Sequence, residues 1–204
     1  MEQTDGQKGG ESAIDETDSL YWIKRLRETS EDIFLHSYRV ASVAELMGEK
    51  LELSDKELGD LRRGCFLHDI GKVMIPPDVL HKTGPLSDGE NMMLELHPVL
   101  GELIVSTVEG LGPDVWATVG SHHERWDGAG YPNRLKGERI PLYARICRIA
   151  DAFDHLLLER TVHKRKALEE AKSQLKQGSN QEFDAYLISI FLTLTNEMLS
   201  IYSL

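Results

Sequence analysis

The sequence is short of cysteine, of long apolar runs and of positive charge. Its 204 residues hold two cysteines, Cys65 and Cys147, both in apolar helical contexts and without CxxC spacing. That argues against zinc–thiolate ligation, and buried reduced thiols are expected. No apolar run approaches the roughly 20 residues a membrane span needs, and no signal-peptide pattern opens the sequence. A soluble, cytoplasmic chain is expected. Lysine and arginine number 23 against 34 aspartates and glutamates, a formal net charge of −11. This balance argues against a DNA or RNA polymer, or an anionic membrane surface, as partner. An anionic substrate would need metal ions and a few cations to reverse the field locally. β-strand alternation, internal repeats and a P-loop are also missing, so the fold expected is all-α. With 41% hydrophobic residues, one domain with a sizeable core is expected.

What is present is helical patterning. Residues 1–18 are polar and cannot offset their ordering entropy by burial, so they are expected to form a disordered leader before a domain over 19–204. A helix is expected from about Ser30 to Lys50, with Val40, Val43, Ala44 and Met47 as its buried stripe. His36 falls on that stripe, and Asp32, four residues earlier, is its expected hydrogen-bond partner. Ser54 with Glu57, and Ser87 with Glu90, read as capping boxes that open two further helices. Gly71 stands where a helix C-terminus favours glycine. Met92 and Met93 are expected in the core. Pro113 suits a first helical turn. Residues 124–133 form a turn-rich loop. Asp151 and Asp154 share one helical stripe with Cys147, and like charges facing a core need a cation between them. Lys164 to Gln177 reads as a charged surface helix, and Phe183 to Tyr202 as one final apolar helix.

The chemistry centres on His68-Asp69-Ile70-Gly71-Lys72. Imidazole and carboxylate together bind divalent metals, and a carboxylate can bridge two ions. Lys72 places a cation where a phosphate oxygen could be held. His36, His97, His122, His123 and Asp151 supply further donors, whereas His81, His155 and His163 lack such a context. Five imidazoles and two carboxylates fill two metal spheres with one aspartate shared, an arrangement suited to phosphate-ester hydrolysis.

From about Leu20 to Ala185 the sequence resembles the HD-GYP domains, a branch of the HD-domain metal-dependent phosphohydrolases. The resemblance rests on His36-Ser37-Tyr38-Arg39, Phe66-Leu67-His68-Asp69-Ile70-Gly71-Lys72, Ile75-Pro76, Leu86 with Glu90, His97-Pro98 and Gly101. It continues through His122-His123-Glu124-Arg125-Trp126-Asp127-Gly128, Gly130-Tyr131-Pro132 and Ala150-Asp151-Ala152-Phe153-Asp154. It implies a helical bundle with a di-iron or di-manganese centre, and hydrolysis of cyclic di-GMP to the linear dinucleotide pGpG or to GMP, with some members acting on cyclic GMP-AMP. It implies that His36, His68, Asp69 and Asp151 bind one ion. Asp69, His97, His122 and His123 would bind a second. Asp69 and Lys72 would be the catalytic pair. Asp32 and Asp154 are the candidate ligands of a third ion, although the family carries glutamate at the first of these positions. Lys72 and Arg160 would hold phosphate. Gly130, Tyr131 and Pro132 would shape the substrate site or meet a protein partner. His163 stands where the family has arginine or lysine, so weaker cyclic di-GMP binding that declines with rising pH is expected. Two alternatives remain: a hydrolase of another phosphoester, and a catalytically weak nucleotide- or partner-binding domain.

Overall fold

The computed structural model describes residues 17–158 and 164–202. Residues 1–16 of the expected leader, with Arg160 and His163, lie outside the described residues. Thr17 and Asp18 depart from the leader expectation. The Thr17 carbonyl accepts from Glu109 N–H at 3.0 Å, and Asp18 caps α1 (Ser19–Thr29) by accepting from Leu20 N–H.

Among the described residues the fold is all-α, with an isolated bridge at Ser179 and Phe183 in place of any strand. Serines start three of the helices. Ser30 caps α2 (Glu31–Lys50), while Ser54 and Ser87 form full capping boxes for α3 (Asp55–Leu67) and α5 (Asp88–Leu94). Each hydroxyl takes an otherwise orphaned N–H, contributing about 1 kcal/mol. Prolines start three more: α4 (Pro77–Leu80), α6 (His97–Ser106) and α7 (Pro113–Ser121). The long α8 (Leu142–Leu158) is followed by α9 (Lys164–Gln177), α10 (Ala185–Phe191) and α11 (Thr195–Ile201).

The buried residues form two clusters. One joins α2, α3 and α8 to α9–α11, through Val40, Met47, Phe153, Leu175 and Phe191. The other joins α1, α6 and α7 to a 3-10 turn at Ile70–Met74, through Leu26, Ile70, Val105, Val115 and Val119. The seam between them places α2 and α8 opposite α6 and α7. None of the helices is long and apolar enough to cross a membrane among the described residues.

Four local expectations are corrected. Helix α9 is amphipathic: Ala167, Leu168, Ala171 and Leu175 are buried at helical spacing between its lysines and glutamates. The C-terminal apolar stretch breaks at 192–194, where Thr193 Oγ1 donates to the Ile190 carbonyl and Leu194 turns into the core. Met92 and Met93 are exposed, and α5 buries none of its residues. Gly71 ends no helix. It lies inside the 3-10 turn, where a Cβ would overlap the His97 carbonyl oxygen and stand 2.6 Å from Gly101 N. The glycine is there so that the turn and α6 can touch backbone to backbone.

Candidate metal centre

Three of the histidines are positioned by one device. His68 and His122 cap the C-termini of α3 and α7, and His97 follows the end of α5 by three residues. Their Nδ1–H groups donate to the carbonyls of Cys65, Val119 and Leu94 at 2.7, 2.7 and 2.5 Å. Each carbonyl lies three residues back, among those a helix end leaves unpaired. A carbonyl can only accept, so each Nδ1 carries the proton and each Nε2 presents a lone pair. His36, on α2, is oriented by a carboxylate instead: its Nδ1–H donates to Asp154 Oδ2 at 2.7 Å. The expected Asp32 partner is replaced by a residue 118 positions away, because α8 packs directly on α2.

The Nε2 atoms and carboxylate oxygens converge in two groups. His97 Nε2 lies 3.1 Å from both His122 Nε2 and His123 Nε2, and 3.3 Å from Asp69 Oδ1. His36 Nε2 lies 3.3 Å from His68 Nε2 and 3.1 Å from Asp151 Oδ1, and His68 Nε2 is 3.5 Å from Asp69 Oδ2. Asp69 thus gives one oxygen to each group. Metal–ligand bonds of about 2.1 Å set neighbouring donors about 3.0 Å apart in an octahedron and about 3.4 Å in a tetrahedron. The observed separations fit two divalent ions sharing one carboxylate.

The electrostatics suit the same occupant. Burial lowers His68, and lowers His122 further with help from His123. Burial, then His97, brings His123 down to about 3. These imidazoles are held neutral. Burial opposes ionisation of Asp69 and Asp151 but is outweighed, for Asp69 by Lys72 and its histidines and for Asp151 by His155 and His36. Burial also disfavours a charged His36, yet Asp151 and Asp154 raise it to about 9. Apart from His36, whose Nε2 proton a cation would have to displace, ionised carboxylates among neutral imidazoles make a site for cations.

Asp154 is fully buried, and its carboxylate is already engaged. Arg39 binds it bidentately, Nε to Oδ1 at 2.7 Å and Nη2 to Oδ2 at 2.9 Å, and His36 adds a further contact to Oδ2. Asp154 was expected, with Asp32, as a candidate ligand of a third ion; its oxygens here face Arg39 and His36. Asp32 is exposed and lines a cleft of about 580 Å³ with His36, Arg39, Asp69, Lys72 and His155. His155, expected to lie apart from the other donors, stands beside Asp151 and His36. Its Nδ1 lies 3.0 Å from Asp151 Oδ1, and His36, Asp151 and His155 form a further group with metal-ligand spacing. Lys72 Nζ donates to Asp69 Oδ2 at 2.6 Å from the floor of this cleft.

Gly130, Tyr131 and Pro132 lie beside the second group. The Tyr131 ring stacks on His123, with centroids 4.7 Å apart and planes at 20°. Burial raises the Tyr131 phenol above its ordinary value. A Cβ on Gly130 would stand 2.5 Å from the His123 carbonyl oxygen, so the loop closes there only with glycine. Glu124, which the motif contained without an assigned role, is buried and holds the loop by accepting from Asn133 N–H at 2.7 Å and Leu135 N–H at 2.9 Å. Arg125 and Arg148 both pair with Glu182 at 3.1 Å, tying the loop to the segment after α9. Arg148 also lies 3.3 Å from His123 Nδ1. A carboxylate at position 124, one residue past a ligand pair, was the signal available in the sequence.

Comparison with known proteins agrees with this architecture. Residues 22–187 match the family model described as HD domain. The chain belongs to the HD-domain family, and its motif set places it in the HD-GYP branch. It is 37% identical over 155 residues to the cyclic di-GMP phosphodiesterase response regulator RpfG of Xanthomonas campestris, covering 76% of this chain and 41% of the relative. It is 34% identical over 178 residues to the 3'3'-cGAMP-specific phosphodiesterase 2 of Vibrio cholerae, covering 87% of this chain and 33% of the relative. The chain therefore spans less than half the length of both. The structure of a cyclic GMP-AMP specific phosphodiesterase of V. cholerae superposes with a TM-score of 0.66 at 23% identity, over 88% of this chain and 50% of the other, and shares the fold.

Proposed function

We propose that the protein is a metal-dependent phosphodiesterase that hydrolyses a cyclic dinucleotide, with cyclic di-GMP as first substrate and pGpG or GMP as product. One observation carries the proposal: Asp69 turns its two oxygens toward two separate groups of imidazole donors. When bound, two divalent ions, iron or manganese, supply Lewis acidity and a water made nucleophilic at neutral pH, which phosphodiester hydrolysis requires. The side chains supply the rest. His36, His68 and Asp151 hold one side of the centre, and His97, His122 and His123 the other. Lys72 lies where it can release Asp69 Oδ2 and take a phosphate oxygen at the cleft wall. Tyr131, flat on His123, offers a surface for a base or a partner, with Gly130 and Pro132 fixing its placement. Arg160 and His163 are proposed as further phosphate contacts. The names of the two relatives, one for each class of cyclic dinucleotide, support this substrate range.

The test is hydrolysis by metal-loaded protein of cyclic di-GMP, cyclic GMP-AMP and a mononucleotide ester in parallel. Turnover of either cyclic dinucleotide is expected, and turnover of the mononucleotide ester alone would overturn the proposal. Lys72→Ala should keep its metal and lose about one to two decades of turnover or affinity, the value of a charge-assisted contact. Metal loss in step with activity would instead make Lys72 a support for Asp69.

A further inference from the structure

Helix α6 is apolar on two opposite faces. Gly101, Ile104 and Val105 are buried against the core. On the far side Val99 and Leu103 are 45% and 65% exposed, and the stripe continues back through Leu96 at 51% and Met92 at 68%. Glu95 and Leu96 keep right-handed helical backbone between α5 and α6. Leu96, Val99 and Leu103 therefore share a strip roughly 60° wide at 3.6 residues per turn, with Met92 on the helix before it. Their spacing of three and four is that of a helix seam. An exposed apolar strip on a helix whose opposite face is already buried marks a surface that something covers. Helix α5 points the same way: it buries none of its residues, and a helix this short is not stable without tertiary packing.

Charge identifies the occupant. Glu95 and Glu102, seven residues apart, stand along one edge of the strip, the flanking position of a heptad. Glu95 and Glu102 make no ion pair among the described residues. From Thr83 to Glu124 the sequence has no lysine or arginine, against seven carboxylates. Lys82 reaches this region from outside and is taken by Glu90 at 2.7 Å. A second copy docked antiparallel would set these acids against each other. Docked parallel, it would set them against Met93 and Leu100, without counter-charge. The undescribed residues 1–16 are polar and cannot fill the strip. We propose that the Met92–Leu96–Val99–Leu103 strip docks an amphipathic helix of a partner protein whose apolar seam is flanked by lysine or arginine.

The experiment uses the full chain and two labelled synthetic peptides of roughly three heptads with leucine seams, one flanked by lysine and one by glutamate. The lysine peptide should bind saturably, more weakly as salt rises, while the glutamate peptide should not bind. Amide exchange should slow over residues 89–96. Leu103→Asp should weaken binding by roughly tenfold or more. Glu95→Lys with Glu102→Lys should move the preference to the glutamate peptide, which keeps the test decisive if Leu103→Asp disturbs folding. Equal binding of both peptides, no binding of the lysine peptide, or slowed exchange elsewhere would overturn the proposal. So would self-association of the wild type that Leu103→Asp abolishes, because a second copy would then be the occupant.

Discussion

Replacing Asp154 with asparagine tests whether this carboxylate orients His36 or binds metal itself. The substitution keeps the volume and one acceptor oxygen but sets an amide against the Arg39 guanidinium. Breaking a buried ion pair by removing one partner costs about 3–5 kcal/mol. Arg39 keeps 18% of its side-chain surface in contact with solvent, which favours the low end, about 3 kcal/mol. For a chain of this length that lowers the melting temperature by about 6–12 °C. The lost contact to His36 Nδ1 should also weaken metal binding by about 10–100-fold, the usual effect of removing a carboxylate that orients a ligating histidine. Thermal melts and chelator competition on Asp154→Asn, Arg39→Met and the double variant form a cycle. A coupling of about 1–3 kcal/mol between the two positions is expected. A melting temperature within about 2 °C of wild type would refute the packing argument. Loss of a whole ion in Asp154→Asn, with normal metal content in Arg39→Met, would make Asp154 a ligand.

Three further outcomes follow from the geometry. Asp69→Ala should lose both ions while circular dichroism still reports most of the helix, and near-wild-type metal content would contradict the shared carboxylate. Gly71→Ala should destabilise by about 1–3 kcal/mol and weaken the His97 group, because its Cβ displaces the start of α6; an unchanged melt and metal affinity would contradict that contact. Asp60, bonded to Lys56 Nζ at 2.7 Å and Arg63 Nη2 at 2.6 Å, is held below the ordinary carboxylate value by Lys56 first, against the opposing effect of burial, and then by Arg63. A depressed folded pKa gives stability that is present above the unfolded value and lost as pH falls through the folded one. Asp60→Asn should therefore flatten the acid limb of the urea midpoint below about pH 4, and parallel limbs for variant and wild type would exclude this contribution.

How much of this was legible in the sequence depended on the range of the interaction. The capping serines and Pro113 act within four residues, and α2, α3, α5 and α7 start where those residues place them. The metal-binding candidates were legible as a spaced set, and the structure gathers their side chains at one seam. Partner choice was not legible. Asp32 is the local neighbour of His36, but the bond goes to Asp154 on another helix. His155 meets Asp151 through the i, i+4 spacing of α8, outside any motif. Gly71 was assigned to a helix end, whereas its purpose is contact with His97 and Gly101, which no local rule shows. Met92 and Met93 have core chemistry and an exposed position, a mismatch visible only once α5 is placed.

The central claim is that two ions share Asp69 and act together on a cyclic dinucleotide. Stepwise loading of anaerobically purified protein with iron(II) or manganese(II), following cyclic di-GMP hydrolysis at each addition, tests it most directly. Turnover should rise with the second equivalent per chain and yield linear dinucleotide or GMP. Full turnover with one ion, or no hydrolysis of any cyclic dinucleotide by a chain holding two, would contradict it.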